Sequence, residues 1–151
     1  MKRRSFLTKT LGGSAILGAG LLSMKDVLAT WSNSIMTEKD AKKATRAITG
    51  GSASVSDKIK IKAPEIAENG AVVPIDVDAT ALGNVQSISI LVEKNPRVVG
   101  AVFEFDNNAL GYAATRIKMG KSSNVVAVVK ADGKVYKNHK EVKVTIGGCG
   151  G

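Results

Sequence analysis

Apolar residues alternate with polar ones along most of this chain, and a period of two fits strands rather than helices. The pattern begins at Ile59 and Ile61 between lysines, and returns at Val73, Ile75 and Val77, interleaved with Pro74, Asp76 and Asp78. Ile88, Ile90 and Val92 carry it on, followed by Val99, Ala101, Phe103 and Phe105, by Ile117 and Met119, and by residues 125–129. Val142, Val144 and Ile146 form the last run. Turn-forming groups lie between the runs: Glu68-Asn69-Gly70, Asn95-Pro96, Asp106-Asn107-Asn108, Met119-Gly120-Lys121 and Asp132-Gly133. About seven short strands with no helix among them specify an all-β fold, an antiparallel β-sandwich. Asp132-Gly133 is the strongest hairpin signal. Pro74 within a strand points to an edge or a bulge.

A single short helix precedes the strands. Thr37 is a fair N-cap with acids in the first turn, Gly50-Gly51 a fair stop, and Ala41, Ala44 and Ile48 share one face. Residues 30–36, with Trp31, form a polar lead expected to be mobile.

The first 29 residues stand apart from this domain. A basic stretch, MKRRSFLTKT, precedes an apolar run over residues 11–24 and a small-residue cleavage site ending at Ala29. Fourteen residues make a helix of about 21 Å, short of a hydrocarbon core of about 30 Å. No cysteine follows the run to take a lipid, so the expectation is a cleaved signal and no membrane anchor. Arg3-Arg4-Ser5-Phe6-Leu7-Thr8-Lys9 fits the twin-arginine pattern, which directs export of folded cargo to the periplasm. Three segments follow: a signal peptide at 1–29, a helix-plus-sandwich domain at 30–146, and a tail at 147–151. The domain's roughly 120 residues can bury a core without disulfides.

Charge excludes less than it first implies. The signal holds five basic residues (Lys2, Arg3, Arg4, Lys9 and Lys25) against Asp26, so the formal +9 falls to +5 in the mature chain. The remaining charges are interspersed, with no arginine-rich run or interleaved aromatics, which argues against nucleic acid. A mild attraction for anions is what remains.

The tail carries the chemistry. Cys149 is the only cysteine, flanked by Gly147 and Gly148 on one side and Gly150 and Gly151 on the other. Four neighbours without side chains cannot pack a core around sulfur, so a flexible arm presenting a free thiol is expected. An unpaired thiol in an exported protein is kept for pairing between chains or for reactivity. A catalytic role needs an oriented base. The only histidine, His139, falls in the polar segment Lys137-Asn138-His139-Lys140, taken as a solvent-exposed turn before the last strand, and a glycine arm cannot hold fixed geometry. No catalytic residue, metal-ligand spacing, phosphate loop or cofactor site is indicated. Cys149 is expected to be a handle that other proteins activate.

These residues resemble a known family. Residues 142–151, ending in the Gly-Gly-Cys-Gly-Gly motif, are similar to the C-terminus of SoxY, the carrier of thiosulfate oxidation. The likeness runs through residues 63–74, 91–96 and 115–120 and covers essentially the whole mature chain. It implies an immunoglobulin-like sandwich that pairs with a second small β-sandwich, SoxZ, and is exported with it. It implies that Cys149 carries thiosulfate-derived sulfur covalently and is not part of an enzyme active site. The implied enzymes are a haem protein that conjugates thiosulfate to the thiol, a manganese hydrolase that releases sulfate and, in some organisms, a sulfur dehydrogenase. The competing reading is an exported structural sandwich whose lone cysteine forms an interchain disulfide. A carboxylate-activated sulfur carrier is disfavoured by the export signal, and a redox enzyme by the lack of a second cysteine.

Overall fold

The computed structural model describes residues 33–145. The expected signal peptide, Trp31 of the lead, Ile146 of the last apolar run and the tail with Cys149 lie outside the described residues. Two helices come first, α1 (Asn33–Met36) and α2 (Ala41–Thr49). Nine strands follow: β1 (Ser54–Val55), β2 (Lys60–Lys62), β3 (Ile66–Ala67), β4 (Val73–Asp78), β5 (Val85–Val92), β6 (Val99–Glu104), β7 (Tyr112–Ile117), β8 (Ser123–Ala131) and β9 (Lys134–Val144).

The strands form two sheets. The larger runs β1-β9-β8-β5-β6, with β3 also on β9, and the smaller runs β2-β4-β7. All long pairings are antiparallel, as the alternation predicts. Only the two-residue strands β1 and β3 are parallel, lying along the edge of β9 that faces away from β8. Asp132 (φ 48°) and Gly133 (φ 71°) form the tight turn between β8 and β9, both in the left-handed region that such two-residue hairpins require.

The core lies between the sheets. Val73, Ile75 and Val77 of β4 face Ile88, Ile90 and Val92 of β5 and Val125, Ala127 and Val129 of β8, all fully buried. β5 is buried on both faces, because its outward Leu91 packs with Val98, Val99 and Val128 beneath Ala44 of α2. The result is three layers: helix, large sheet, small sheet.

Five expectations need correction. The lead expected to be mobile contains α1, and Ile35 packs against the cluster beneath α2, so two helices rather than one precede the strands. The cap of α2 is Asp40 rather than Thr37. Its carboxylate accepts from Lys42 N (2.8 Å) and Lys43 N (3.1 Å), and a charged acceptor binds these orphan donors well. The stop at Gly50 (φ 69°) is as expected. His139 is not in a turn. Residues 137–140 lie inside β9, with His139 opposite Val126 on the sheet's outer face. Nor do Val99 and Ala101 share a face. A register shift between Ile90 and Leu91 leaves Gly100 unpaired, so Val99 joins the core beneath α2 while Ala101 joins the core between the sheets. Gly100 is also where a Cβ would come within 2.9 Å of Ile117 Cδ1. Pro74, finally, lies in the middle strand of its sheet. Ala79 N donates to Gly111 O on the β7 side, so alternation turns the Pro74 nitrogen toward β2. Beyond Lys62, paired with Asp76, β2 has ended, and no ladder donor is lost.

Two outcomes follow. Ile90→Ala should cost about 3–4 kcal/mol in urea unfolding, because it leaves a cavity between two close-packed sheets. For Asp40, the hydrogen bond from Lys43 N, helped by that from Lys42 N, holds the carboxyl below its ordinary value of 3.8. The folded value is the depressed one, so the cap's contribution is whole above the unfolded value of 3.8 and is lost as pH falls from there through the folded value. Asp40→Asn, which keeps an accepting oxygen, should flatten this acid limb in thermal melts from pH 6 to pH 2.

Candidate functional site

The position from which Cys149 is carried is set by how β9 ends. Asn138 Nδ2 donates to Ile59 O (2.9 Å), Lys140 Nζ to Ala63 O (2.8 Å), and Val142 is fully buried. Past Val142 the main chain is held on both edges. On the β8 side the Ser122 hydroxyl accepts from Val144 N (2.8 Å) and donates to Val144 O (3.4 Å). One side chain thus supplies the rung that the ladder would otherwise lack beyond Ser123–Val142. On the other edge Lys143 N donates to Glu65 O (2.9 Å) and Thr145 N to Ala67 O (3.2 Å). The Thr145 hydroxyl adds a contact to Glu68 O (3.4 Å). The backbone is therefore pinned through Thr145. Cys149 follows four residues later, within about 14 Å of contour at about 3.6 Å per residue.

Loops from three parts of the sequence close around this point. Asn95 clasps the 118–120 turn, donating from Nδ2 to Lys118 O (2.6 Å) and accepting at Oδ1 from Gly120 N (3.2 Å). Lys94 N donates to the buried Ser123 hydroxyl (3.0 Å). Met119 is fully buried, and its N–H reaches Gly70 O (2.6 Å). These loops belong to the segments 63–74, 91–96 and 115–120 that resemble the SoxY sequence. Read singly they are ordinary strands and turns, and in space they form one collar at the foot of the tail.

Of the residues singled out in the sequence, Cys149, Gly147, Gly148, Gly150 and Gly151 all lie outside the described residues. His139 is exposed on the outer face of the large sheet. It stands five positions before Val144, about 17 Å along a strand at about 3.4 Å per residue. It lines a groove of about 470 Å³ with Lys42, Arg46 and Lys137, and no described contact links it to the collar. Among the described residues no three His, Asp, Glu or Cys side chains come together as a metal site. Sequence reasoning missed Ser122 and the reach of Asn95. The Asn95-Pro96 turn was visible, but a partner twenty-three residues away was not.

Fold and site together define a β-sandwich domain whose last strand is pinned up to the foot of a short cysteine-bearing tail. The family model described as "Sulfur oxidation protein SoxY" matches residues 45–149, a span that ends on Cys149. The chain belongs to the SoxY family of sulfur oxidation proteins. The sulfur carrier protein SoxY from Chlorobium limicola f thiosulfatophilum is 40% identical, covers 70% of this chain and 96% of its own, and superposes with a TM-score of 0.61. A putative superoxide reductase from Thermotoga maritima, 18% identical over 62% of this chain and 95% of its own, has a TM-score of 0.52 and shares the fold alone. The sequence matches none of the curated proteins compared with it.

Ser122→Ala should leave Val144 without its rung and cost about 1–2 kcal/mol in urea unfolding, the usual penalty for a partly buried polar group left unpaired. Asn95→Ala should speed hydrogen exchange at the Gly120 amide, with the β5–β8 ladder unaffected.

Proposed function

We propose that this protein carries thiosulfate-derived sulfur covalently on Cys149, presenting it to separate enzymes in the periplasm after twin-arginine export. The observation that carries the reading is positional. The solitary thiol comes four residues after the last pinned backbone group, on a tail with a glycine at each adjoining position. A tethered intermediate is delivered at high effective concentration to each partner in turn. Slender neighbours suit entry into a narrow channel.

In this cycle the Cys149 thiolate and the sulfane sulfur of thiosulfate form an S–S bond with loss of two electrons, which a haem enzyme accepts. Water then attacks the sulfonate sulfur in a manganese hydrolase. Sulfate and two protons leave, and a persulfide remains on Cys149. Where a sulfur dehydrogenase is present, it oxidises that persulfide sulfur further. SoxZ, a second small sandwich, is the proposed stable partner, and export as a folded pair explains the twin-arginine signal on a chain for which no cofactor is proposed.

Intact mass spectrometry of protein from thiosulfate-grown cells should show reductant-sensitive adducts on the wild-type chain and none on Cys149→Ser. Adducts that persist in the variant, or a variant strain that oxidises thiosulfate normally, overturn the carrier reading. The latter result favours a structural sandwich whose cysteine only links chains.

A further inference from the structure

On the outer face of the large sheet, the groove of about 470 Å³ that His139 lines runs between α2 and the segment leading into β1. Its helical wall presents Lys42 and Arg46, four residues apart and therefore on one face of α2. The wall across from it is β9, where Lys137 and His139 are two residues apart and share the outer face. The floor between them is apolar. Leu91 is fully buried, and Val126, opposite His139 in the ladder, is half-buried. Val55 stands at the lip with 73% of its surface exposed.

The cations of this groove are poorly compensated. Asp40 Oδ1 accepts from Lys42 N and Lys43 N, although its charge also reaches the Lys42 ammonium. Glu93, the one carboxylate lining the groove, accepts from Asn124 Nδ2 (3.0 Å). Among the described residues the side chains of Arg46, Lys137 and His139 have no hydrogen bond or ion pair. Lys42, Arg46 and Lys137 against Glu93 leave the lining at +2 with His139 neutral. Unpaired positive charge on both walls thus coincides with apolar surface left in water. An inorganic oxyanion would answer the charge and leave Val55 and Val126 wet. A chain segment that sets carboxylates around an apolar side chain answers both.

We propose that this groove docks an acidic segment of a partner protein, with an apolar side chain on Val126 and Val55 and carboxylates on the two cationic walls. This role is separate from the carrier reading and does not rest on it. Glu93 and Asn124 close the end nearer the collar, and the Glu93 charge turns an acidic occupant toward Lys137 and His139. His139 is about 17 Å along β9 from Val144, so the docked segment and the tail do not compete for space. Lys42, Arg46 and His139 are exposed, so the contact forms quickly and is weakened by salt.

The test uses the mature chain with Cys149 capped by a neutral carbamidomethyl group, so that chains cannot link. The probe is the blocked peptide acetyl-Glu-Asp-Leu-Glu-Asp-amide, and a control peptide carries Gln and Asn in place of its acids. At about 0.01 M ionic strength, where screening acts over about 30 Å, the probe should give saturable shifts of the Lys42, Arg46, Val126, Lys137 and His139 amide resonances. It should bind about tenfold more tightly than the control, and Arg46→Gln/Lys137→Gln should remove that advantage. A probe with serine in place of leucine should bind more weakly, as should the original probe to Val55→Ser. Unshifted resonances away from the groove verify the fold of both variants. Absence of saturable shifts, a control that binds as tightly as the probe, or shifts that survive the double variant overturn the proposal. A serine probe that binds as well as the leucine one does the same. So does inorganic phosphate that shifts the same amides with equal affinity, because the groove would then be a site for small oxyanions. With the thiol capped throughout, the groove can fail while Cys149 remains the carrier, and the carrier reading can fail while the groove still binds the probe.

Discussion

The register of the β8–β9 hairpin is the constraint on which the rest of the molecule depends. The Asp132-Gly133 turn sets Ala131 opposite Lys134, and the ladder then runs without a break to Ser123 opposite Val142. Side chains alternate with a period of two, so a slip of one residue in β8 would turn Val125, Ala127 and Val129 out of the core. The same register sets Val144 beside Ser122 and so determines where the chain leaves the sheet. A turn at one end of the sandwich thereby fixes the geometry of the collar at the other, about 30 Å away along nine residues of β8.

The sandwich is held from both sides of its large sheet. β5 places Ile88, Ile90 and Val92 inward and Leu91 outward under α2, so the helix closes a second, smaller core and is more than a leader to the strands. α2 also ties into the collar region through the segment before it, where Val98 N donates to Glu38 O (3.1 Å). Helix, sheets and collar loops therefore form one mechanical unit up to Thr145. Cys149, the residue proposed to carry sulfur, follows Thr145 by four residues in the sequence.

Much of this was legible in the sequence wherever a residue's role depends on near neighbours. The strands of the core, the Asp132-Gly133 hairpin and the Gly50 stop all follow from local pattern. His139 was misplaced because Lys137, Asn138, His139 and Lys140 carry no apolar alternation. Their strand conformation is set instead by pairing with Val125, Val126, Ala127 and Val128. The short strands β1 and β3 were invisible for a related reason: Val55 and Ile66 are exposed, and these segments exist as strands only because β9 offers them an edge. The Gly100 bulge and the Asn95 clasp depend on contacts distant in sequence, which periodicity cannot report. The tail, which lies outside the described residues, is read from missing side chains rather than from packing.

The double-edged grip on Val144 and Thr145 also acts as a depth stop. With Cys149 the fourth residue beyond the grip, the thiol of a carrier built this way could probe at most about 14 Å past the collar. A deeper active site would meet the collar before it met the sulfur. Under the proposed carrier role, an enzyme acting on Cys149 would need its reacting centre within that depth of its own surface. In that role, length would set which enzymes can reach the thiol, with the collar as the gauge.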